Sequence, residues 1–248
     1  MWPYPKVLAH RGGGKLAPEN TLAALRCGYE YGFRAVEFDV MLSKDGVPVL
    51  MHDPEFGRTI AGRGEVSATN VAQLLTMDAG SWFAARFAGE PVPSYEQAIL
   101  FCRKHGIWAN VEIKPAPGTE QETGRIVAEM TAALFADVAV VDIVHLPLFS
   151  SFSLTAMRAA KQAAPHIPRG FLMDEIPPDW KCALQELAAR ALHTNHLHLT
   201  PELARQVKDA GYGLFCYTVN QPDRAHELLS WGVDAFCTDR IDDIPADF

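Results

Sequence analysis

The sequence predicts a (β/α)8 TIM barrel, an α/β fold closed on itself, with a small subdomain inserted after the hairpin of the second strand. Three observations predict it. Eight short apolar runs alternate with longer stretches whose apolar residues recur at helical spacing. Several helical stretches stop at a glycine, as at Gly32, Gly106, Gly211 and Gly232, the residue suited to a left-handed C-terminal cap. An open doubly wound sheet would be expected to carry a glycine fingerprint, and His10-Arg11-Gly12-Gly13-Gly14-Lys15 lacks the G-x-G-x-x-G spacing.

The expected strands are Lys6–His10, Ala35–Met41, Ile107–Ile113, Val140–Val144, Pro168–Leu172, His193–Leu199, Gly213–Thr218 and Ala235–Thr238. The expected helices are Thr21–Tyr31, Ser94–His105, Thr123–Phe135, Leu154–Ala163, Trp180–Ala191, Pro201–Ala210 and Pro222–Trp231, many opened by Ser, Thr or Pro. Ser43-Lys44-Asp45-Gly46 reads as a hairpin turn that folds Val47–Met51 back on the second strand and returns His52 toward it. Roughly 40 residues, 54–93, then fit no βα unit and are long for a simple loop. They are expected to form a small insertion capping the barrel mouth, within one catalytic domain spanning 1–248.

With 248 residues and 48% hydrophobic content, the chain can bury a sizeable core. A formal charge of −8 argues against nucleic acid, whose phosphates need a basic face. No stretch approaches the ~20 apolar residues of a membrane span, and no signal peptide is visible. Five cysteines with no Cys-x-x-Cys pair read as reduced thiols, so a cytoplasmic location is expected. Self-association into a homo-oligomer is compatible with this composition.

The chemistry concentrates in the first fifth of the chain. Glu37 and Asp39, two apart on a strand, point to one face with Cα atoms ~7 Å apart. Val36, Phe38 and Val40 then face the helices. Two buried like charges repel and resist desolvation, and a divalent cation relieves both problems. The alternative for this pair alone is a solvated strand end with salt-bridge partners. Glu112 shifts the balance. It shares a strand face with Asn110 and Lys114, and that strand is expected to lie beside the one bearing Glu37. Three carboxylates would converge, and oxygen-only ligands favour Mg²⁺ or Ca²⁺.

His10 and His52 each end a strand on the face where barrel enzymes place their sites, and suit a general acid and base. Asp53 either orients His52 or caps a turn. Arg11 can hold phosphate oxygens bidentately, and Lys114 can neutralise a phosphate or pair with Glu112. Glu19, Asn20 and Thr21 precede a helix and suit its cap. His193, His196 and His198 imitate a metal cluster, but only the last two share a strand face and no acidic partner is near.

His10-Arg11-Gly12, Pro18-Glu19-Asn20-Thr21-Leu22, Glu37-x-Asp39-Val40, Asp45-Gly46, His52-Asp53, Glu112-x-Lys114, Tyr217-Thr218-Val219-Asn220 and Thr238-Asp239 together resemble the signature of the glycerophosphodiester phosphodiesterases. The resemblance runs from about Val7 to Asp242 and is nearest the bacterial cytoplasmic branch. It implies one divalent cation on Glu37, Asp39 and Glu112, and acid–base catalysis by His10 and His52. Arg11, Lys114, Asn20 and Tyr217 would bind substrate. The reaction implied is hydrolysis of a glycerophosphodiester to glycerol 3-phosphate and an alcohol, with water or the substrate's own 2-hydroxyl as nucleophile. Tyr217 stands where many members have Trp, Ile241 where Pro is common and Ser43 where Thr is common. Two rivals share the scaffold. A lipid-cleaving relative would need an apolar rim, for which Trp82, Phe83 and Phe87 are the candidates; a sugar-phosphate sensor would bind without turnover.

Overall fold

The computed structural model describes residues 2–248. Eight parallel strands form the barrel: β1 (Val7–Ala9), β2 (Ala35–Leu42), β4 (Trp108–Ile113), β5 (Leu148–Ser150), β6 (Gly170–Met173), β7 (Ala191–Asn195), β8 (Gly213–Tyr217) and β9 (Ala235–Thr238). Their order is β5-β4-β2-β1-β9-β8-β7-β6. The ring is closed between β5 and β6 by a parallel bridge, Phe149 to Arg169, and by the Phe149 N–H donating to the Pro168 carbonyl at 2.9 Å. The strand β3 (Pro48–Leu50) pairs antiparallel with β2, Val40 opposite Leu50, as the hairpin turn requires.

Helices α1 (Leu22–Glu30), α3 (Tyr95–Lys104), α4 (Glu120–Leu134), α5 (Leu154–Ala163), α6 (Trp180–Leu187), α7 (Pro201–Asp209) and α8 (Pro222–Ser230) surround the strands, and α2 (Val71–Leu74) is a single turn within 54–93. Local chemistry fixes their starts. Thr21 accepts from the Ala24 N–H, and Ser94 with Gln97 forms a capping box. Val36, Phe38 and Val40 lie in the large core between strands and helices. A smaller core of Tyr4, Leu8, Trp108, Leu148 and Phe215 fills the barrel interior. The polar face of β2 is therefore left to the C-terminal mouth.

One strand expectation is corrected. Val140–Val144 is not a strand: Val141 is 84% exposed, and turns form around Asp142. The fifth strand is Leu148–Ser150, which is fully buried as a barrel strand must be. The β-branched run had the propensity of a strand without the burial. Likewise β7 ends at Asn195, so His196 and His198 leave the strand.

Segment 54–93 has its own small core, in which Ile60, Val66, Leu74, Ala79 and Val92 pack against Met41, Val49 and Met51 of the hairpin. The Glu90 carboxylate accepts the Ala23 N–H at 2.8 Å and ties the segment to the start of α1. Trp82, Phe83 and Phe87 are not part of that core, and Trp82 is 41% exposed.

Helices α4 and α5 cross at Gly124, where a Cβ would lie 2.0 Å from the Ala156 carbonyl oxygen. The contact is backbone against backbone, so nothing flexible can yield. Gly124→Ala is expected to destabilise the fold by ~1–3 kcal/mol, the usual cost of overpacking. A urea midpoint unchanged from wild type would disprove the crossing.

Candidate active site

The polar mouth of the barrel holds one cavity of about 220 Å³, walled by His10, Arg11, Glu37, Asp39, His52, Glu112 and Lys114 among others. The parallel register brings the carboxylates together. Glu37 lies opposite Asn110 and Asp39 opposite Glu112 across the β2–β4 ladder. One oxygen from each of Glu37, Asp39 and Glu112 falls within 4.8 Å of the other two. Among the described residues, no other group of three His, Cys, Asp or Glu is so arranged.

The electrostatics show what this convergence costs. Burial, then Asp39 and Glu112, push Glu37 well above the usual carboxylate range. Burial and Asp39 push Glu112 up to about 8. Burial opposes ionisation of Asp39 as well, but Lys114, Arg11 and His52 outweigh it and hold that carboxyl below its ordinary value. Lys114 Nζ lies 3.4 Å from Asp39 and 4.0 Å from Glu112. Buried acid groups with too few cations are a donor set that fits a hard divalent ion.

The two histidines are held alike. His10 Nδ1 meets Asp239 at 2.7 Å, which leaves Nε2 facing the carboxylates, 3.7 Å from Glu37. Asp239 is fixed by the Asn220 amide at 2.9 Å, and despite burial the bond to His10 holds it at about 2. His52 Nδ1 meets Asp53 at 2.7 Å. Burial works against the Asp53 anion, yet hydrogen bonds from Arg58 and His52 hold it at about 2. Burial, aided by Arg11 and Lys114, pulls His52 below its ordinary value against the attraction of Asp39.

The loop after β1 is shaped by close packing. Gly28 of α1 touches it so tightly that a Cβ would lie 2.2 Å from the Gly12 carbonyl oxygen. Arg11 and Asn20 adopt left-handed backbone, φ 49° and 57°, and the Asn20 N–H donates to the Arg11 carbonyl at 3.0 Å. This turns the Arg11 N–H onto Glu37 at 3.2 Å and its guanidinium onto Glu19 at 2.7 Å. Asn20 is buried and its side-chain amide is spent on Asp39: Nδ2 donates to Oδ2 at 2.8 Å and Oδ1 accepts the Asp39 N–H at 3.0 Å. It reaches the carboxylate rather than the open cavity.

Arg58 and Ser150 escaped sequence reasoning. Arg58, from segment 54–93, joins both sides of the mouth by donating to Asp53 at 2.6 Å and to Glu19 at 2.6 and 2.7 Å. No spacing signal marks it, because its partners come from other loops. Asn110, Ser150 and Tyr217 also line the cavity, and Asn110 Oδ1, Ser150 Oγ and the Tyr217 hydroxyl are buried with no hydrogen-bond partner. The histidine triplet holds no such cluster: His193 is fully buried against Phe215, and His198 lies near Asp174 and Glu175 on the surface.

The Glycerophosphoryl diester phosphodiesterase family matches residues 10–243. A glycerophosphodiester phosphodiesterase of Caldanaerobacter subterraneus subsp. tengcongensis is 32% identical over 238 residues, 94% of this chain and 93% of that protein. A phosphodiesterase from Oleispira antarctica, solved with the product sn-glycerol-3-phosphate, superposes with TM-score 0.87 at 36% identity, covering 95% of this chain and 93% of that one. A glycerophosphodiester phosphodiesterase from Agrobacterium tumefaciens superposes with TM-score 0.77 at 26% identity over 98% and 97% of the two chains. Fold, mouth and sequence agree, and the chain belongs to the glycerophosphodiester phosphodiesterase family of phosphoric diester hydrolases.

Proposed function

We propose that this enzyme hydrolyses glycerophosphodiesters to glycerol 3-phosphate and an alcohol, with one divalent cation, Mg²⁺ or Ca²⁺, on Glu37, Asp39 and Glu112 and with His10 and His52 as the acid–base pair. The observation that carries the reading is the convergence of two buried carboxylates and a third, partly buried one between two imidazoles, each backed by an aspartate. The cation, when bound, supplies charge neutralisation at the phosphoryl oxygens. Arg11 and Lys114, at the rim of the same cavity, are placed to hold those oxygens. One histidine takes a proton from the nucleophile and the other returns one to the departing alcohol. Asp239 and Asp53 keep each Nδ1 engaged, so that each Nε2 exchanges the proton.

Asn20 is assigned a positioning role, since its amide orients Asp39. The unpartnered Asn110, Ser150 and Tyr217 atoms form a polar floor that suits the two free hydroxyls of glycerol. Burial, with Asp174 and Glu112, raises the Tyr217 phenol, which keeps it a neutral donor. Segment 54–93 is assigned as the cap over the mouth, anchored there through Arg58. No helix among the described residues is long and apolar enough to cross a membrane. All five cysteines are free and Cys182 is exposed, which supports the reducing cytoplasm as its location.

The test is glycerol 3-phosphate release from glycerophosphoethanolamine before and after EDTA treatment, with Mg²⁺ or Ca²⁺ returned. Activity should vanish on chelation and return with metal. Full activity in EDTA would remove the cation, and binding without product would favour a sensor.

Arg58 supplies a milder prediction. It is half exposed but bonded to two carboxylates of the mouth. Arg58→Ala should lower kcat by roughly tenfold through a mispositioned His52, a geometric loss smaller than removing the acid or base itself. An unchanged kcat would show that Asp53 holds His52 unaided.

A further inference from the structure

The reading above accounts for the glycerol and the phosphate but not for the alcohol. The central cavity, at about 220 Å³, is lined by the carboxylates, Arg11, Lys114, the two histidines and the polar floor, with Leu172, Phe215 and Cys237 between them. Beside it, on the His52 side, lies a groove of about 520 Å³. His52, Glu112, Lys114 and Phe152 wall both spaces, so the two are continuous at the reacting centre. The groove is of the size that encloses organic ligands, ~300–1,000 Å³. Asp53 and Glu120 also line it, but most of its surface is apolar, with Pro54, Pro115 and Pro117 beside the half-exposed ring of Phe152. Phe152 is seated edge-to-face on Tyr217, ring centres 5.9 Å apart, at the border between polar floor and apolar groove.

The space on the His10 side differs. It is lined by Arg11, Lys15, Glu19 and Asp239 as well as Trp82 and Phe83. Both of its carboxylates are committed, Glu19 to Arg11 and Arg58, and Asp239 to His10 and Asn220. An uncharged hydrocarbon gains less there than against prolines and a free phenyl face.

We propose that the groove walled by Phe152 and the three prolines is the leaving-alcohol subsite, and that it selects glycerophosphodiesters whose alcohol carries an alkyl chain. This deepens the hydrolytic reading above and rests on it. Phe152 is the specificity-determining residue: its ring covers the first methylenes beyond the ester oxygen while the glycerol lies on the polar floor. The bond cleaved is the P–O bond to that alcohol, which departs with the proton returned by a histidine.

The experiment is a series of glycerophospho-n-alkanols, from ethanol to hexanol, kept below aggregation. Their leaving groups have nearly the same acidity, so differences in kcat/KM report contact with the chain. A buried methylene contributes ~0.8 kcal/mol, so kcat/KM should climb by about two- to fourfold per methylene. In Phe152→Ala the climb should flatten: the ratio of kcat/KM for the hexanol diester to that for the ethanol diester should fall several-fold, whatever loss the two substrates share. Phe152 is surface-exposed, so the variant should fold. A wild-type series flat or falling with chain length overturns the subsite. A climb unaltered in Phe152→Ala overturns the role of the ring. Absence of turnover on glycerophosphoethanolamine itself would instead sink the hydrolytic reading on which the subsite rests.

Discussion

His10→Ala and His52→Ala, made singly, are each expected to cut kcat by ~10²-fold or more while leaving the thermal transition near that of wild type. Both side chains stand at strand ends on the mouth, outside the hydrophobic cores, so their loss opens no packing defect. What each removal takes away is a proton carrier with a fixed tautomer. Asp239 and Asp53 each accept from an Nδ1–H at 2.7 Å, and no other imidazole lies in the cavity wall to replace either one. The double variant should be scarcely slower than the worse single one, because a step that lacks its base gains little from a positioned acid. A well-folded single variant with near-normal turnover would take that histidine out of the mechanism. Losses that simply multiply in the double variant would show the two acting independently.

Much of this arrangement was legible because it is carried by local spacing. Glu37 and Asp39 share a face by the two-residue strand repeat, and Val36, Phe38 and Val40 turn to the helices for the same reason. Glu112 joined them because consecutive βα units place neighbouring strands side by side, and the observed register puts it opposite Asp39. Val140–Val144 misled because β propensity says nothing of burial, and its place was taken by Leu148–Ser150. The contact of Asn20 with Asp39 was not legible: a short polar side chain preceding a helix suits its cap, the family resemblance makes it a substrate ligand, and its backbone φ of 57° is set by the loop fold that turns it onto Asp39. Arg58 was hidden more deeply, since a salt bridge among three loops has no periodicity. The imidazole triplet around His196 looked like a site only in one dimension; in space its first member stacks in the core and its last lies at the surface.

Glu112→Gln is expected to change stability in opposite directions with and without a divalent cation. In the metal-free protein Glu112 is held at about 8 by burial and by Asp39, against 4.5 for the free side chain. An acid whose folded value is raised favours folding most below its unfolded value. That contribution is lost as pH rises through the interval, here from about 4.5 to about 8. Metal-free wild type should therefore weaken across that window, and Glu112→Gln, which cannot ionise, should weaken less. The gap at pH 8 should reach a few kcal/mol, since each unit of displacement is worth about 1.4 kcal/mol. Asp39 works the other way: held low by Lys114 and Arg11 against burial, it stabilises at neutral pH and fails only in acid. With saturating Mg²⁺ or Ca²⁺ the order should reverse. The wild-type carboxylate then gains a partner bound to the folded state alone, and that gain grows with ligand concentration. Activity should follow the second order, with Glu112→Gln slowed by ~10²-fold or more by loss of a cation ligand. Glu37 and Glu112 thus weaken the empty fold where they ionise, and the same crowded negative charge is what attracts the ion. Thermal unfolding of both proteins in EDTA and in metal, at pH 5 and pH 8, reads every sign. Should metal raise the midpoint of Glu112→Gln as much as that of wild type, Glu112 is not a ligand and the convergence on the barrel mouth needs another explanation.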